Sequence, residues 1–352
     1  MIYQGDAWKY MEDTPEILSS IWKGRSAIFE SCMKILTEEK VSELYLAGTG
    51  SSHHSAIAAI SFLKKLLGIR VFSVYPITIS EEICFMNKNS LVVGISQQGT
   101  STAVITALDA VRKAGVRTIS VTGEHDTEIT RHADANIYVE CGYEDAGATT
   151  KGYSATVLTL ILFGIELAKT QGILSDSGEK EYQNRVKRIL ENMPVVLERS
   201  VSWSQETAEQ LKESKNLIVL YDGIQQATML EAVLKISETC RYPVRGFETD
   251  AFMHGMYNAA DSETDFLYLF PTEKKQKQQM ERLYDYYGKQ GNRQYRMPED
   301  DFINDPELSV LEYILPIQQL FVLTSRKRGI DLNIPKDPDF HKYMGSKLEE
   351  KV

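Results

Sequence analysis

The stretch LVVGISQQGTS, residues 91–101, determines the fold class that we predict for this chain. Its first five residues form a short apolar run rich in β-branched side chains, which is typical of a buried strand. Hydroxyls, amides and a glycine follow at once, and residues 102–114 have the pattern of a helix. Because the first backbone N–H groups of a helix lack partners, this strand–loop–helix order predicts an α/β protein with an anion site at the loop.

The polar loop at residues 96–101 is suited to a phosphate group held by neutral donors. The hydroxyls of Ser96, Thr100 and Ser101 can donate hydrogen bonds, and the loop contains no Lys or Arg. This composition favours a sugar phosphate as ligand. A helix cap rich in Ser and Thr with no ligand is the alternative, and the loop alone does not decide between the two.

Composition and charge exclude several classes of partner. The chain has 352 residues, of which 43% are hydrophobic, which is enough for two domains with their own cores. With a net charge of −10 and no basic stripe, we expect no nucleic-acid partner. The four cysteines are widely spaced and form no CxxC pair, and the N-terminus has no signal-peptide pattern. The apolar run at 157–167 is too short to cross a bilayer. We therefore predict a cytoplasmic protein without membrane contact.

Alternating strand and helix patterns predict two domains with parallel sheets, each covered by helices on both faces. We predict a helical arm at 1–40, a first, phosphate-binding domain at 41–172, linker helices at 173–215, a second, thinner domain at 216–328, and a tail over the active site at 329–352. Ligands of such sheets bind beyond the carboxyl ends of the strands. The turn at residues 48–52 and the loop at 96–101 both lie there in the first domain.

A group of charged residues in the second domain is the first candidate for catalysis. Glu231, Lys235 and Glu238 are spaced by four and three positions, so they share one face of a predicted helix. An exposed ladder of ion pairs is the alternative, but the apolar neighbours of these residues favour a helix packed on the sheet. Downstream, His254 stands in an apolar setting, where a histidine is more often structural, although a neutral imidazole suits proton transfer to a sugar oxygen near pH 7.

Five motifs occur in an order that resembles the SIS (sugar isomerase) family. They are Gly50-Ser51-Ser52, the loop from Ser96 to Ser101, Glu144 through Thr149-Thr150-Lys151, Glu231 through Lys235 to Glu238, and His254-Gly255. The resemblance covers about residues 25–349 and extends to the isomerase part of glucosamine-6-phosphate synthase and to fructosamine-6-phosphate deglycases. The interval of 16 positions between Glu238 and His254 matches that family without a gap.

The resemblance implies two SIS domains, each a flavodoxin-like parallel sheet sandwiched by helices, and a role for each matched residue. Glu238 would be the general base of a C1–C2 proton shift. His254 would reach the site from the neighbouring subunit, which implies a homodimer with shared active sites. Glu231 and Lys235 would line the site and tune Glu238, and the loop that starts at Glu144 would close over the sugar. The residues implied to hold the phosphate are Ser52, Ser96, Gln97, Gln98 and Ser101. The resemblance implies no cofactor, and the spacing of the histidines offers no zinc-type set.

Three departures from the synthase qualify the expected function. The chain starts at the isomerase part, so we expect no glutaminase activity. Gln98 stands where the synthase has serine. In an ungapped comparison, Phe340 stands where the synthase has its Schiff-base lysine. Lys342 and Lys347 are therefore the candidates for that lysine, and the tail is more similar to that of the deglycases.

The expected function is that of a phosphosugar isomerase. It would open the ring of a 6-phosphorylated sugar or amino sugar and move a proton between C1 and C2. The alternatives are a deglycase that releases an amine from a glycated amino acid 6-phosphate, and a non-catalytic sugar-phosphate sensor. The presence of both Glu238 and His254 favours an enzyme.

Overall fold

Two parallel sheets organise the chain in the computed structural model, which describes residues 3–37 and 39–348. The first sheet has five strands in the order β2-β1-β3-β4-β5, and the second has four in the order β7-β6-β8-β9. The strands of the first sheet are β1 Glu43–Ala47, β2 Arg70–Val74, β3 Ser90–Ile95, β4 Arg117–Thr122 and β5 Ala135–Tyr138. Those of the second are β6 Leu217–Tyr221, β7 Val244–Glu248, β8 Asp265–Leu269 and β9 Gln294–Arg296.

Helices cover both sheets, and a long one joins the two halves. They are α1 Ala7–Lys34, α2 Ser51–Leu67, α3 Ile79–Glu82, α4 Thr102–Lys113, α5 Lys151–Thr170, α6 Asp176–Leu211, α7 Gln226–Cys240, α8 Thr249–Met253, α9 Lys274–Gln290, α10 Val310–Lys327 and α11 Phe340–Met344. Every residue of β1 and β3 is buried, as expected for strands covered on both faces. The predicted α/β class with two parallel sheets is confirmed.

Residues 173–215, predicted as linker helices, contain one continuous helix rather than a polar linker with several short helices. Helix α6 runs for 36 residues and includes Pro194. Its buried residues Val186, Ile189 and Met193 recur every three or four positions, so one apolar stripe packs inward while the rest stays polar. The high overall polarity of the segment concealed this stripe in the sequence.

Two strands of the second sheet were not predicted. β7 pairs in parallel with β6, and β9 pairs in parallel with β8. In β7, Arg245 and Gly246 interrupt the apolar pattern, and β9 has only three residues. Near residues 76–85 the chain forms the four-residue α3 with a 3-10 turn on either side.

Helix α5 corrects the expectation that the apolar run near 157–167 is too short for a bilayer. Within the described residues, α5 is the one helix long and apolar enough by composition to cross a membrane, with 20 residues. However, 94% of its most apolar window is buried inside the fold. Helix α5 packs against α1 and α2 in the core of the fold.

Candidate functional site

A cavity of about 290 Å³ lies at the carboxyl edge of the first sheet. Its walls come from distant parts of the chain: the turn after β1, the loop at residues 96–101 (the phosphate loop), the segment before α5, helix α7, and the C-terminal tail. The polar residues that line it include Thr49, Ser51, Ser52, Ser96, Gln97, Gln98, Thr100, Ser101, Glu124, Glu144, Thr149, Lys235, Glu238, His341, Ser346 and Lys347. The cavity therefore contains all five residues predicted to hold a phosphate, together with Lys235 and Glu238.

Hydroxyl groups line the cavity because two strand–helix turns contribute to its wall. Gly50 adopts a φ of +54°, a conformation that favours glycine, and this turn starts α2 with Ser51 and Ser52 facing the cavity. The phosphate loop leads directly into α4, whose N-cap residue is Ser101. Its side chain makes no capping hydrogen bond, so the hydroxyl can serve a ligand. The Ser101 backbone N–H instead donates to Ser96 Oγ at 3.4 Å, which closes the loop on itself.

The two glutamines of the phosphate loop have different surroundings. Gln97 Oε1 accepts a hydrogen bond from Thr156 at 3.1 Å, and Gln97 Nε2 donates to Cys141 Sγ at 3.2 Å. Its side chain therefore ties the loop to α5 and the end of the sheet. Gln98 Oε1 instead accepts a hydrogen bond from Lys347 Nζ of the tail at 2.9 Å.

Glu238 also lines the cavity, and it lies beside a buried cation. Lys235 Nζ is 3.1 Å from Glu238 Oε2, and the lysine side chain is only 5% exposed against 41% for the glutamate. Burial is the largest influence on Lys235 and lowers its pKa, but the charges of Glu238 and Glu231 outweigh burial, so the pKa is raised. A protonated lysine is thus held against a carboxylate that remains accessible to a ligand.

Glu231 does not line the cavity, which corrects the expectation that it does. Its carboxylate accepts a hydrogen bond from Ser51 Oγ at 2.8 Å and lies 2.7 Å from His54 Nδ1. It also lies 3.9 Å from Lys235 Nζ, on the far side from the cavity. Because Glu231 contacts α2, it links the helices of the two domains. Its carboxylate also stabilises the charged form of Lys235.

The structure does not bring His254 to the cavity of its own chain. Its side chain is 75% exposed, and its Nδ1–H donates to the Asp250 carbonyl oxygen at 2.8 Å. That hydrogen bond, followed by the charge of Asp250, raises the pKa of His254. The imidazole is therefore oriented by its own short helix, α8, and presented at the surface.

Glu144 has a structural role that the sequence did not show. Its carboxylate accepts hydrogen bonds from the backbone N–H groups of Thr150 and Gly152 at 2.6 and 2.9 Å, and from the hydroxyls of Thr149 and Thr150, each at 2.7 Å. It therefore satisfies the unpaired donors at the start of α5. The loop that it begins forms a fixed wall of the cavity.

The tail supplies three cavity residues, and only Lys347 was among the sequence candidates. His341 Nδ1 lies 2.8 Å from Ser346 Oγ, and burial, followed by the charge of Lys347, lowers the pKa of His341. Lys342, the other tail candidate, is not among the residues that line the cavity. These contacts join positions more than 200 residues apart, so a local sequence pattern could not have shown them.

No group of three or more His, Cys, Asp or Glu side chains that could hold a metal ion occurs in the described ranges. The side chains that line the cavity include hydroxyl and amide donors and the Lys235–Glu238 pair. Such an arrangement can bind an anionic group in the same cavity as a carboxylate that can accept a proton.

Residues 35–165 match the SIS domain family. A solved structure from Clostridium difficile 630, described as a "putative phosphosugar isomerase", is 29% identical, with a TM-score of 0.90, covering 98% of this chain and 99% of that one. A sugar-binding protein from Salmonella typhimurium LT2, also described as "putative", is 29% identical, with a TM-score of 0.80, covering 90% and 98%.

A curated relative, glutamine–fructose-6-phosphate aminotransferase from Caldanaerobacter subterraneus, is 22% identical over 94% of this chain and 57% of its own length. The chain spans about half the length of the curated relatives it matches. Residues 35–165 thus match an SIS domain, and the chain is similar over nearly its whole length to part of that aminotransferase and to proteins described as phosphosugar isomerases.

Proposed function

We propose that this protein is a phosphosugar isomerase that acts on a 6-phosphorylated sugar or amino sugar. The observation that carries the proposal is a single cavity lined both by the hydroxyl donors of the phosphate loop and by Glu238 beside Lys235. A hexose 6-phosphate would use both sets of residues, because one molecule carries both a phosphate and a reactive C1–C2 unit. The likeness to proteins described as phosphosugar isomerases supports the same class.

The proposed reaction is a proton shift on the open-chain sugar. A Glu238 carboxylate oxygen removes the C2 proton of the aldose, the C–H electron pair forms the C1–C2 double bond, and the C1 carbonyl oxygen takes up a proton, which gives an enediol. The same group returns its proton to C1 while the O2–H proton leaves and the C2 carbonyl forms, which gives the ketose. The proton lost from O2 replaces the one taken up at O1. Lys235 Nζ, 3.1 Å from Glu238, holds the carboxylate in one orientation throughout. No oxidant or reductant is consumed, because the two carbons exchange oxidation states.

We also propose that His254 acts in the site of a second copy in a homodimer, where it would assist ring opening. Its 75% exposed side chain and its place outside the cavity of its own chain support this assignment. The test mixes inactive Glu238→Gln and His254→Ala subunits. An equimolar mixture should recover up to about a quarter of the wild-type activity, because half of the dimers are hybrids and each hybrid has one intact site of two. No recovery after demonstrated subunit exchange contradicts a shared site.

The experiment that tests the function is a ligand panel followed by product analysis. Hexose and hexosamine 6-phosphates should raise the melting temperature, while the unphosphorylated sugars should not, and a binding ligand should exchange its C2 proton with deuterated solvent. Exchange without a phosphorylated ligand, or phosphosugar binding with no exchange in any member of the panel, would contradict the isomerase. The second result would support a sugar-phosphate sensor.

A deglycase is the second candidate, because of where the tail lysines lie. Lys347 is hydrogen-bonded to Gln98 of the phosphate loop, and Lys342 is not among the residues lining the cavity. A substrate that carries its own amine, such as a fructosamine 6-phosphate, would need no protein lysine for an imine. Including such compounds in the panel decides between the two candidates, since a deglycase releases the free amine and an isomerase does not.

A further inference from the structure

His54 forms a buried contact between the two domains. It lies in the first turn of α2, its side chain is 11% exposed, and its Nδ1 is 2.7 Å from Glu231 Oε2 of α7. Glu231 carries a charge that raises the pKa of Lys235, and a charged carboxylate can only accept hydrogen bonds. The hydrogen therefore sits on Nδ1 of His54, which donates it to Glu231.

Glu231 has three polar partners among the described residues, and they divide its two oxygens. Oε1 accepts a hydrogen bond from Ser51 Oγ at 2.8 Å and lies 3.9 Å from Lys235 Nζ. Oε2 accepts the hydrogen bond from His54. The Glu231 side chain is only 2% exposed, so solvent does not replace a lost partner. The His54 hydrogen bond thus fixes the rotation of the carboxylate and keeps Oε2 turned away from the ammonium group.

Lys235 is shared unequally between two carboxylates. Its Nζ is 3.1 Å from Glu238 Oε2, within hydrogen-bond distance, and 3.9 Å from Glu231 Oε1, beyond it. At equal distance a more buried carboxylate attracts an ammonium group more strongly, because water screens it less. Glu231 is the more buried of the two, at 2% exposed against 41% for Glu238. The preference of Lys235 for Glu238 therefore depends on other donors that satisfy Glu231.

We propose that His54 is a positioning residue for the proposed base: by holding Glu231 Oε2, it leaves Lys235 Nζ to Glu238. The kinetic consequence rests on the proposed function, because it takes Glu238 to be the base. Without the His54 donor, the buried carboxylate turns its second oxygen towards Lys235, and the ammonium group moves away from Glu238. Glu238 then loses the partner that orients it, so proton removal slows while the phosphate loop still binds the sugar phosphate.

The test compares variants that remove the Nδ1–H donor with one that keeps a donor there. His54→Leu and His54→Phe remove it, so exchange of the C2 proton of glucose 6-phosphate, mannose 6-phosphate or glucosamine 6-phosphate with deuterated solvent should slow about tenfold. The calorimetric affinity for the same sugar phosphate should stay within about twofold of wild type, because no cavity residue changes. His54→Asn places an amide N–H close to the position of Nδ1, so it should restore exchange to within about threefold of wild type.

His53→Leu is the matched control, because it removes the neighbouring buried imidazole of the same helical turn. The His53 ring stacks on Tyr75, with ring centroids 4.1 Å apart, and its Nδ1 lies 3.1 Å from Ser73 Oγ, both on the side of β2. Since His53 does not hold Glu231, its loss should change exchange by no more than about twofold.

A double variant tests whether His54 acts through Glu231. When His54→Leu is combined with Glu231→Gln, exchange should be within about twofold of that in Glu231→Gln alone. A further loss of about tenfold in the double variant would overturn the proposal, because His54 would then act by a separate route.

A crystal structure of His54→Leu or His54→Phe gives a readout that does not depend on activity. Lys235 Nζ should lie closer to Glu231 than to Glu238, which reverses the wild-type order of 3.9 and 3.1 Å. Unchanged distances would overturn the proposal, as would wild-type exchange in both donor-free variants, no rescue by His54→Asn, or a loss of affinity in place of a loss of rate. None of these results contradicts the proposed function. A wild-type protein that exchanges no proton on any of the three sugar phosphates would overturn the proposed function instead, and the two distances would then decide whether His54 controls the partner of Lys235.

Discussion

The two sheets share a topology but present opposite chemistry at their carboxyl edges. In each sheet the first strand in the chain lies between the second and the third, and a left-handed glycine follows it: Gly50 after β1 and Gly223, with a φ of +61°, after β6. The first turn continues into Ser51 and Ser52, with the hydroxyls of the phosphate loop beside them. The second turn is preceded by Asp222, a buried carboxylate.

The second sheet's edge carries carboxyl groups where the first sheet carries hydroxyls. Burial, the largest influence, raises the pKa of Asp222 to about 7, and a hydrogen bond from Thr249 works against it. The Thr249 hydroxyl donates to Asp222 Oδ2 at 2.7 Å, and the neighbouring carboxylate of Glu248 adds to the rise in the pKa. A phosphate at this edge would meet carboxylates where the first sheet offers hydroxyls.

The two sheets therefore share one backbone topology, and the side chains at their carboxyl edges make the two domains different. Helices α2 and α7 each follow the first strand of their sheet, and they pack on each other. The contact is polar at its centre, where Glu231 of α7 meets Ser51 and His54 of α2. One domain thus contributes the phosphate loop to the cavity, and the other contributes Lys235 and the proposed base Glu238.

The largest expected effect comes from removing the base that the second domain contributes. Glu238→Gln keeps the size of the side chain but cannot accept a proton, so turnover should fall by about a thousandfold or more. Affinity for glucosamine 6-phosphate should stay within a few-fold, because the phosphate loop is untouched. Single-turnover rates and calorimetry measure the two quantities, and a variant with near-wild-type turnover would show that Glu238 is not the base.

Ser96→Asp would give the first sheet the chemistry of the second. Ser96 is buried at the end of β3, so a carboxylate there would face a bound phosphate without solvent screening. We expect sugar-phosphate affinity to fall by more than about a hundredfold. Ser96→Ala is the matched control, and it should cost only about five- to tenfold because it removes one neutral hydrogen-bonding group. Equal losses in the two variants would contradict an anion site at this loop.

The carboxyl edge of the first sheet could be predicted from the sequence, and the carboxyl edge of the second sheet could not. The run at 91–95 ends sharply at Ser96, so strand and loop are both visible locally, and the spacing of Lys235 and Glu238 predicts a shared helix face. By contrast, β7 contains Arg245 and Gly246, and its strand character depends on pairing with β6. The contact of Lys347 with Gln98 spans 249 positions and depends on how the tail folds back. Local periodicity carries no information about such a contact.

A smaller effect is expected from Glu231→Gln, which weakens the joint between the domains. Glu231 is one of the two nearest carboxylates that raise the pKa of Lys235, so without its charge that pKa should fall and burial should favour the neutral amine. Turnover should drop about tenfold at neutral pH and decline further as the pH rises, because a neutral lysine no longer holds Glu238. The measurement is a pH–rate profile from pH 6 to 9.

Ser51→Ala is the control for that profile. It removes the hydroxyl that donates to Glu231 but keeps the charge of the glutamate, so the midpoint of the alkaline limb should not move. If Glu231→Gln also leaves the midpoint unchanged, the carboxylate acts only through packing.

The smallest expected effect concerns the acidic edge of the second sheet and appears as a dependence of stability on pH. The pKa of Asp222 is about 7 in the folded protein against 3.8 for an ordinary aspartate, so the folded state binds this proton more tightly than the unfolded chain. The resulting stabilisation is complete below about pH 4 and is lost as the pH rises towards and through 7.

Asp222→Asn keeps an acceptor for the Thr249 hydroxyl but cannot ionise. The melting temperature of the variant minus that of the wild type should therefore increase by a few degrees between pH 5 and pH 8. Sugar-phosphate affinity should stay unchanged, because we expect the first sheet to hold the phosphate. A difference in melting temperature that does not vary with pH would show that Asp222 is not protonated in the fold, and a loss of sugar-phosphate affinity would show that the two edges are not functionally separate.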